Sequence, residues 1–209
     1  MFYFENDVLK SDFLEGVEHF FTTRNFKDEL DGILPDQTHS DHVEFVDERT
    51  SYPDTDGLII TKPHQKIRLK FADCTPLILY NSKTNIGAIS HAGWRGTTQK
   101  IGVKTIQKMG GNPKDIVAVI GPAIGLCCYE VSEEVKEKLL QTVSDTTDLY
   151  KNNYVDLKCI NARQLQEIGV EKIDICPYCT SCSNDLFYSY RKENGTTQRH
   201  FAVLELPLL

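Results

Sequence analysis

No stretch of this chain approaches the ~20 consecutive apolar residues needed to cross a bilayer, and the longest apolar runs are short and broken by glycine and proline. The first residues, Met1-Phe2-Tyr3-Phe4-Glu5-Asn6-Asp7, contain no basic stretch leading into an apolar run, so they do not read as a secretory signal and a cytoplasmic protein is expected. Basic charge is scarce as well. Lys and Arg number 23 against 30 Asp and Glu, for a net charge of −7, and no Lys/Arg block occurs. That balance argues against nucleic acid or an anionic membrane as a partner. Histidines are few, six in all, and none forms a His-x-His pair. Cysteines number seven, an odd count in a chain of ordinary size, which does not suit a fully paired disulfide framework. Free thiols of a reducing compartment remain, and some of them are available for metal or chemistry.

What is present is an ordinary globular composition, with 40 % apolar and 25 % charged residues over 209 positions, enough for an ample core in one domain spanning residues 1–209. No internal repeat, low-complexity tract or linker interrupts it, and nothing specifies an oligomer. Strands are expected at Leu58–Ile60, Ile67–Phe71, Leu77–Tyr80, Ile86–Ser90, Ile116–Ile120, Lys172–Cys176 and Phe201–Leu206. Pro76 lacks a backbone donor and is expected to interrupt any ladder near it. Helices are expected over about Thr98–Met109, stopping at Gly110-Gly111, from Ser132 as N-cap to about Val143, and over Ile160–Ile168. Interspersed strands and helices with hairpin-like connections indicate an α/β or α+β domain with mixed sheets.

Three polar motifs fall at or near strand ends: Gln37-Thr38-His39, Ala72-Asp73-Cys74, and Ser90-His91-Ala92-Gly93-Trp94-Arg95-Gly96-Thr97. His39, Cys74 and His91 would supply two imidazole nitrogens and one thiolate, a set suited to zinc with a fourth position open for water. Two His and one Cys also suit a copper site. Spacing alone leaves the bland reading open, since a histidine at a strand end is commonly a hydrogen-bonded structural residue and a cysteine in an apolar strand a small core residue. Gly93 and Gly96 flank Arg95 just before a helix. Either the turn amides and Arg95 hold a phosphate, or the glycines make a tight turn and Trp94 packs.

Taken together, the seven-residue His91–Thr97 motif and Ala72-Asp73-Cys74-Thr75-Pro76 closely resemble the YfiH-like family. Its members were first described as laccase-domain or multicopper polyphenol oxidases and later as purine nucleoside phosphorylases. Gln37-Thr38-His39, Gly121-Pro122-Ala123-Ile124, Cys128-Tyr129-Glu130-Val131, Cys179-Thr180, Phe187-Tyr188-Ser189-Tyr190-Arg191 and Thr22-Thr23-Arg24 follow the same pattern in the same order. The resemblance implies a layered α/β/β/α arrangement and a metal on His39, Cys74 and His91. It implies phosphorolysis of adenosine, inosine or 5′-methylthioadenosine to free base and (methylthio)ribose 1-phosphate, together with adenosine deamination. The partners would be a small-molecule nucleoside and phosphate, with Zn2+ as cofactor and Cu2+ as the alternative. On that basis Cys74, His91 and Asp73 are the candidate catalytic residues, Asp73 either moving a proton or orienting a histidine. Gly93, Arg95, Arg24, Tyr129 and Arg191 are the candidates for substrate or phosphate. One departure stands out. Longer members carry a Gly-Gly-Val-Ser segment and a further stretch after Thr-Thr-Arg, whereas here Asn25-Phe26-Lys27-Asp28 follows Arg24 and the Gln37-Thr38-His39 motif arrives soon after. A more open site is expected.

Two other enzyme classes compete. Copper-dependent phenol oxidation by a four-copper enzyme needs many histidines, largely in His-x-His pairs, which this chain lacks. A cysteine hydrolase or peptidoglycan-editing amidase would use Cys74 as nucleophile beside His91. Among the remaining cysteines, Cys176, Cys179 and Cys182 form C-x2-C-x2-C, for which no fourth ligand is evident nearby, and Cys127 and Cys128 read as packing residues.

Overall fold

Along Lys66-Ile67-Arg68-Leu69-Lys70-Phe71 the apolar side chains alternate with cationic ones, and the strand buries Ile67, Leu69 and Phe71 while the basic residues stay half-buried on the other face. The computed structural model describes residues 1–208. Its strands are β1 (Phe2–Glu5), β2 (Val8–Ser11), β3 (Glu18–Thr22), β4 (Val43–Phe45), β5 (Gly57–Ile60), β6 (Lys66–Phe71) and β7 (Thr75–Asn81). They continue with β8 (Ile86–Ala92), β9 (Ile116–Ile120), β10 (Tyr150–Lys151), β11 (Tyr154–Val155), β12 (Lys172–Ile175) and β13 (His200–Glu205). The helices are α1 (Trp94–Thr98), α2 (Ile101–Met109), α3 (Glu133–Leu140) and α4 (Leu157–Glu167).

Two sheets hold the chain together. An antiparallel sheet has the order β1-β2-β3-β13-β6, and a mixed sheet has the order β12-β9-β7-β8-β5-β4, with parallel pairs only at its two edges. The sheets face one another. Leu9, Phe21, Ile67, Leu69, Phe71, Ala202 and Leu204 of the first pack against Leu58, Ile60, Ile78, Tyr80, Ile89 and Val119 of the second. The next residues along each strand of the mixed sheet, Ile59, Leu77, Leu79, Ala88 and Ala118, point the opposite way and bury Ile101, Ile106, Met109, Ala162 and Leu165 of α2 and α4. Strand β7 is therefore buried along its whole length, which is why it reads as a continuous apolar run. Helix α2 lies close on the sheet: a Cβ at Gly102 would fall 2.8 Å from Leu77 Cδ1. The helical layer thus covers the mixed sheet, while the outer face of the five-stranded sheet carries long side chains such as Arg68, whose guanidinium lies 5.6 Å over the Phe201 ring.

Mixed sheets and interspersed helices agree with the class read from sequence. Pro76 does not break the ladder as expected. It sits opposite His91 in the β7–β8 pair, and His91 N–H donates outward to the Asp56 carbonyl at 2.7 Å, so no donor is asked of Pro76 on that side. Its carbonyl accepts from Gly121 N at 2.9 Å just where β9 ends. The helix expected from Thr98 begins at Trp94 and is split, because Lys100 takes a left-handed φ of 57° between α1 and α2. Ser132 caps α3 as expected, its hydroxyl accepting from Val135 N at 3.3 Å, but the helix ends at Leu140. Helix α4 starts at Leu157, before the expected Ile160, because Asp156 caps it and accepts from Cys159 N at 3.0 Å. No described helix is long and apolar enough to cross a membrane.

Candidate active site

Strand register builds the centre of the site. Thr75 pairs with Ala92 at the open ends of β7 and β8, so Cys74, one residue before β7, comes to lie beside Gly93, one residue beyond β8. His91 is the penultimate residue of β8. His39 arrives from a loop that wraps around a buried carboxylate. Asp56 Oδ2 accepts from Thr38 N at 3.0 Å and Ser40 N at 2.7 Å, while Oδ1 accepts from His39 N at 3.1 Å. This grip holds His39 at a φ of 64°, a conformation that a non-glycine residue adopts only when its surroundings impose it. The result is that ligand atoms of His39, Cys74 and His91 lie within 4.8 Å of one another, with the two imidazoles edge-to-face at 4.8 Å between centroids.

The donor set fits a thiophilic divalent metal, and its surroundings fit as well. His91 Nδ1–H donates to Asp56 Oδ1 at 2.7 Å, which turns Nε2 toward Cys74 and fixes the tautomer a metal ligand needs. Gly93 leaves room for the thiol: a Cβ there would stand 2.9 Å from Cys74 Sγ and 3.3 Å from His39 Cδ2. Charge is distributed accordingly. Burial opposes ionisation of Cys74, but the cationic His91 and a hydrogen bond to His39 outweigh it and bring the thiol down to about 6. Burial likewise opposes charge on His91, yet the Cys74 thiolate and Asp56 raise it to about 9. For Asp56 the same balance, burial against His91 and the amide donors, ends at about 2.

A cavity of about 700 Å³ opens over the triad. Trp94, Tyr129 and Tyr190 line it with aromatic surface, and Gln37, Lys70, Arg191, Thr197 and Arg199 add polar groups. No ion pair engages Lys70, Arg191 or Arg199 among the described residues, which is notable in a chain carrying −7. Burial, with the Cys74 thiolate adding to it, raises the Tyr129 phenol, so that hydroxyl stays a donor at neutral pH. His39, which lines the cavity, is exposed.

The sequence candidates fall in different places. Cys74, His91, His39, Asp73, Tyr129 and Arg191 line the cavity. Asp73, at a φ of 82°, spends its carboxylate on Thr180 Oγ1 at 2.6 Å and Arg191 N at 2.7 Å. The carboxylate that orients His91 and the loop of His39 is Asp56, which belongs to none of the motifs read from sequence. Arg191 donates to the Glu130 carbonyl and lies 5.4 Å over the Tyr129 ring. Arg95 is exposed outside the lining, its guanidinium 4.5 Å over Trp94. Arg24 pairs with Glu193, donates to the Phe187 carbonyl at 3.2 Å and stacks on Tyr188, so it braces the 187–193 segment from outside the cavity. Gly93 lies behind the thiol. Lys70, Tyr190 and Arg199 were not singled out individually. Lys70 is one of three alternating cations of β6, with nothing to distinguish it. Cys176 is buried in the core between the sheets. The expected lack of a fourth thiol near Cys179 and Cys182 is corrected, because Cys127 and Cys128, read as packing residues, meet them.

Two packed sheets with a His–Cys–His centre at one sheet end define a known class of protein. Residues 16–207 match the family described as multi-copper polyphenol oxidoreductase laccase, and the chain belongs to it. Purine nucleoside phosphorylase YlmD of Bacillus subtilis is 34 % identical over 194 residues, covering 82 % of this chain and 69 % of that protein. A purine nucleoside phosphorylase of Clostridium acetobutylicum is 34 % identical over 192 residues, covering 87 % of this chain and 80 % of its own length. In structure, the hypothetical protein YfiH of Bacillus licheniformis superposes with a TM-score of 0.90 at 28 % identity over 98 % of both chains. YlmD of Geobacillus stearothermophilus gives 0.87 at 25 % identity over 99 % of both.

Proposed function

We propose that this chain is a zinc-dependent purine nucleoside enzyme that cleaves adenosine, inosine or 5′-methylthioadenosine with inorganic phosphate. The observation that carries the reading is the meeting of three features in one cavity: the His39–Cys74–His91 triad, three aromatic side chains, and three cations free of ion pairs. The names of its relatives support it. In this reading Trp94, Tyr129 and Tyr190 stack on the base and sugar, while Arg191, Arg199 and Lys70 draw phosphate toward C1′. A phosphate oxygen bonds to C1′ as the C1′–N9 bond breaks, and the electron pair leaves with the purine, which takes up a proton. Tyr129, held protonated, is placed to donate a hydrogen bond to the departing base. Asp73 holds Thr180 and the Arg191 backbone and is a positioning residue. Zinc on His39, Cys74 and His91 would supply a Lewis acid and a water whose pKa falls to ~7.

The same donor set would also suit adenosine deamination as a second activity, in which a water oxygen bonds to C6 as the C6–N bond breaks and ammonia leaves, without phosphate. A four-copper oxidase finds less support: among the described residues, His19, His42, His64 and His200 do not join the triad. Incubation of adenosine with and without phosphate, on protein of measured metal content, tests the reading. Adenine and ribose 1-phosphate are expected only with phosphate, and inosine reports deamination. No product from any of the three nucleosides, in fully zinc-loaded protein, would refute it.

A further inference from the structure

Away from the triad, four more thiols converge. The Sγ atoms of Cys127, Cys128, Cys179 and Cys182 all lie within 4.8 Å of one another, and Cys182 Sγ is 3.4 Å from both Cys127 Sγ and Cys128 Sγ. All four are free cysteines. A tetrahedral tetrathiolate with Zn–S of 2.3 Å has its sulfurs about 3.8 Å apart, the spacing these atoms approach.

We propose that Cys127, Cys128, Cys179 and Cys182 form a second metal site, a structural zinc held by four thiolates. Two connections supply the ligands in pairs. Cys127 and Cys128 come from the turn after β9, and Cys179 and Cys182 from the C-x2-C turn after β12. The backbone is arranged to receive a thiolate. Gly125 N–H donates to Cys179 Sγ at 3.2 Å, and Cys128 N–H closes the turn on the Gly125 carbonyl at 2.9 Å. Gly125 packs closely against the cluster: a Cβ there would lie 3.3 Å from Cys179 Cβ and 3.5 Å from Cys127 Sγ. Four ionised sulfurs so close repel one another, and a divalent cation at their centre removes that repulsion. Four protein ligands with no open position are the structural rather than the catalytic pattern.

The site has a mechanical consequence. The two turns are already joined by the Ala123–Cys179 bridge and by Thr180 N–H donating to the Ala123 carbonyl at 3.1 Å. One turn leads to Tyr129, and the other carries Thr180, which holds Asp73. A zinc there would lock together the turn that leads to the cavity residue Tyr129 and the turn that holds the cavity residue Asp73.

The test is zinc content per chain, measured by dye after mercurial release. The wild type is expected to hold two zinc and the Cys127→Ser/Cys182→Ser double variant one. Both of those cysteines are exposed, so the fold should tolerate the change. As a second measurement that leaves the four thiols intact, Cys74→Ser protein loaded with cobalt should show the strong near-ultraviolet sulfur-to-metal absorption of a tetrathiolate. Equal zinc in wild type and double variant overturns the proposal. So does iron in place of zinc, a Cys127–Cys182 or Cys128–Cys182 disulfide in freshly purified protein, or the absence of cobalt–thiolate absorption in Cys74→Ser.

Discussion

Asp56 and His91 meet inside the protein at 2.7 Å, with the carboxylate fully buried and the imidazole 4 % exposed. The same carboxylate accepts three successive amides of the loop that carries His39. One side chain therefore sets the tautomer of one candidate ligand and the backbone of another. Asp56→Asn keeps an oxygen of similar shape but loses the charge and presents donors to amides that need an acceptor. Partners of this kind are worth about 10–100-fold in metal affinity, so chelator competition should show zinc binding weakened by about that factor. Unchanged affinity would remove Asp56 from the site.

Gly93 gives a sharper steric test. An added methyl would stand 2.9 Å from Cys74 Sγ, and the thiol belongs to a turn fixed by Asp73 on both sides. Gly93→Ala should displace the thiol, lose the active-site zinc and with it the activity, while its far-ultraviolet circular dichroism stays that of the wild type. Full zinc occupancy in this variant would show that Cys74 is not a ligand.

Much of the site was legible because short motifs in fixed order carried it. His39, Cys74 and His91 each stand in a recognisable run, and apolar runs revealed β7 and β9. Asp56 was not legible, because its importance comes from donors on Thr38, His39, Ser40 and His91, all distant from it in sequence. Strands β1 to β3 also escaped. Tyr3, Phe4 and Glu5 are exposed, so the first strand has no buried-exposed alternation to read. The four-cysteine cluster was half visible as C-x2-C-x2-C. That spacing pointed to Cys176, yet Cys176 continues the path of β12 into the core, and the partners come from a turn some fifty residues earlier. Strand order, which no local pattern encodes, puts β12 beside β9 and so brings the two turns together.

The cations divide by position. Arg191 and Arg199 face the cavity, whereas Arg95 rests on the outer side of Trp94. A hydrogen bond to a charged group is worth about 1.5–3 kcal/mol, so Arg199→Ala or Arg191→Lys should raise the KM for phosphate by about tenfold or more. Arg95→Lys removes only an exposed stacking contact and should change it by no more than about twofold. Steady-state phosphorolysis at varied phosphate checks both, and a larger loss in Arg95→Lys than in Arg199→Ala would reverse the assignment.

His200 makes folding depend on pH. It is fully buried between Phe71 and Phe187, and neither ring nitrogen finds a hydrogen-bond partner. Burial holds its pKa down at about 3. The unfolded chain titrates near 6.5, so below that pH the unfolded state binds a proton that the folded state refuses, and stability falls as pH falls. Each unit between about 6.5 and 4 should cost about 1.4 kcal/mol from this residue. His19, lowered mainly by burial, adds a loss of the same sign. Urea unfolding at several pH values should therefore show a steep loss of stability below about 6.5, and His200→Phe, which keeps an aromatic ring between its neighbours, should lower that slope by about one proton. An unchanged slope in the variant would place the acid sensitivity elsewhere.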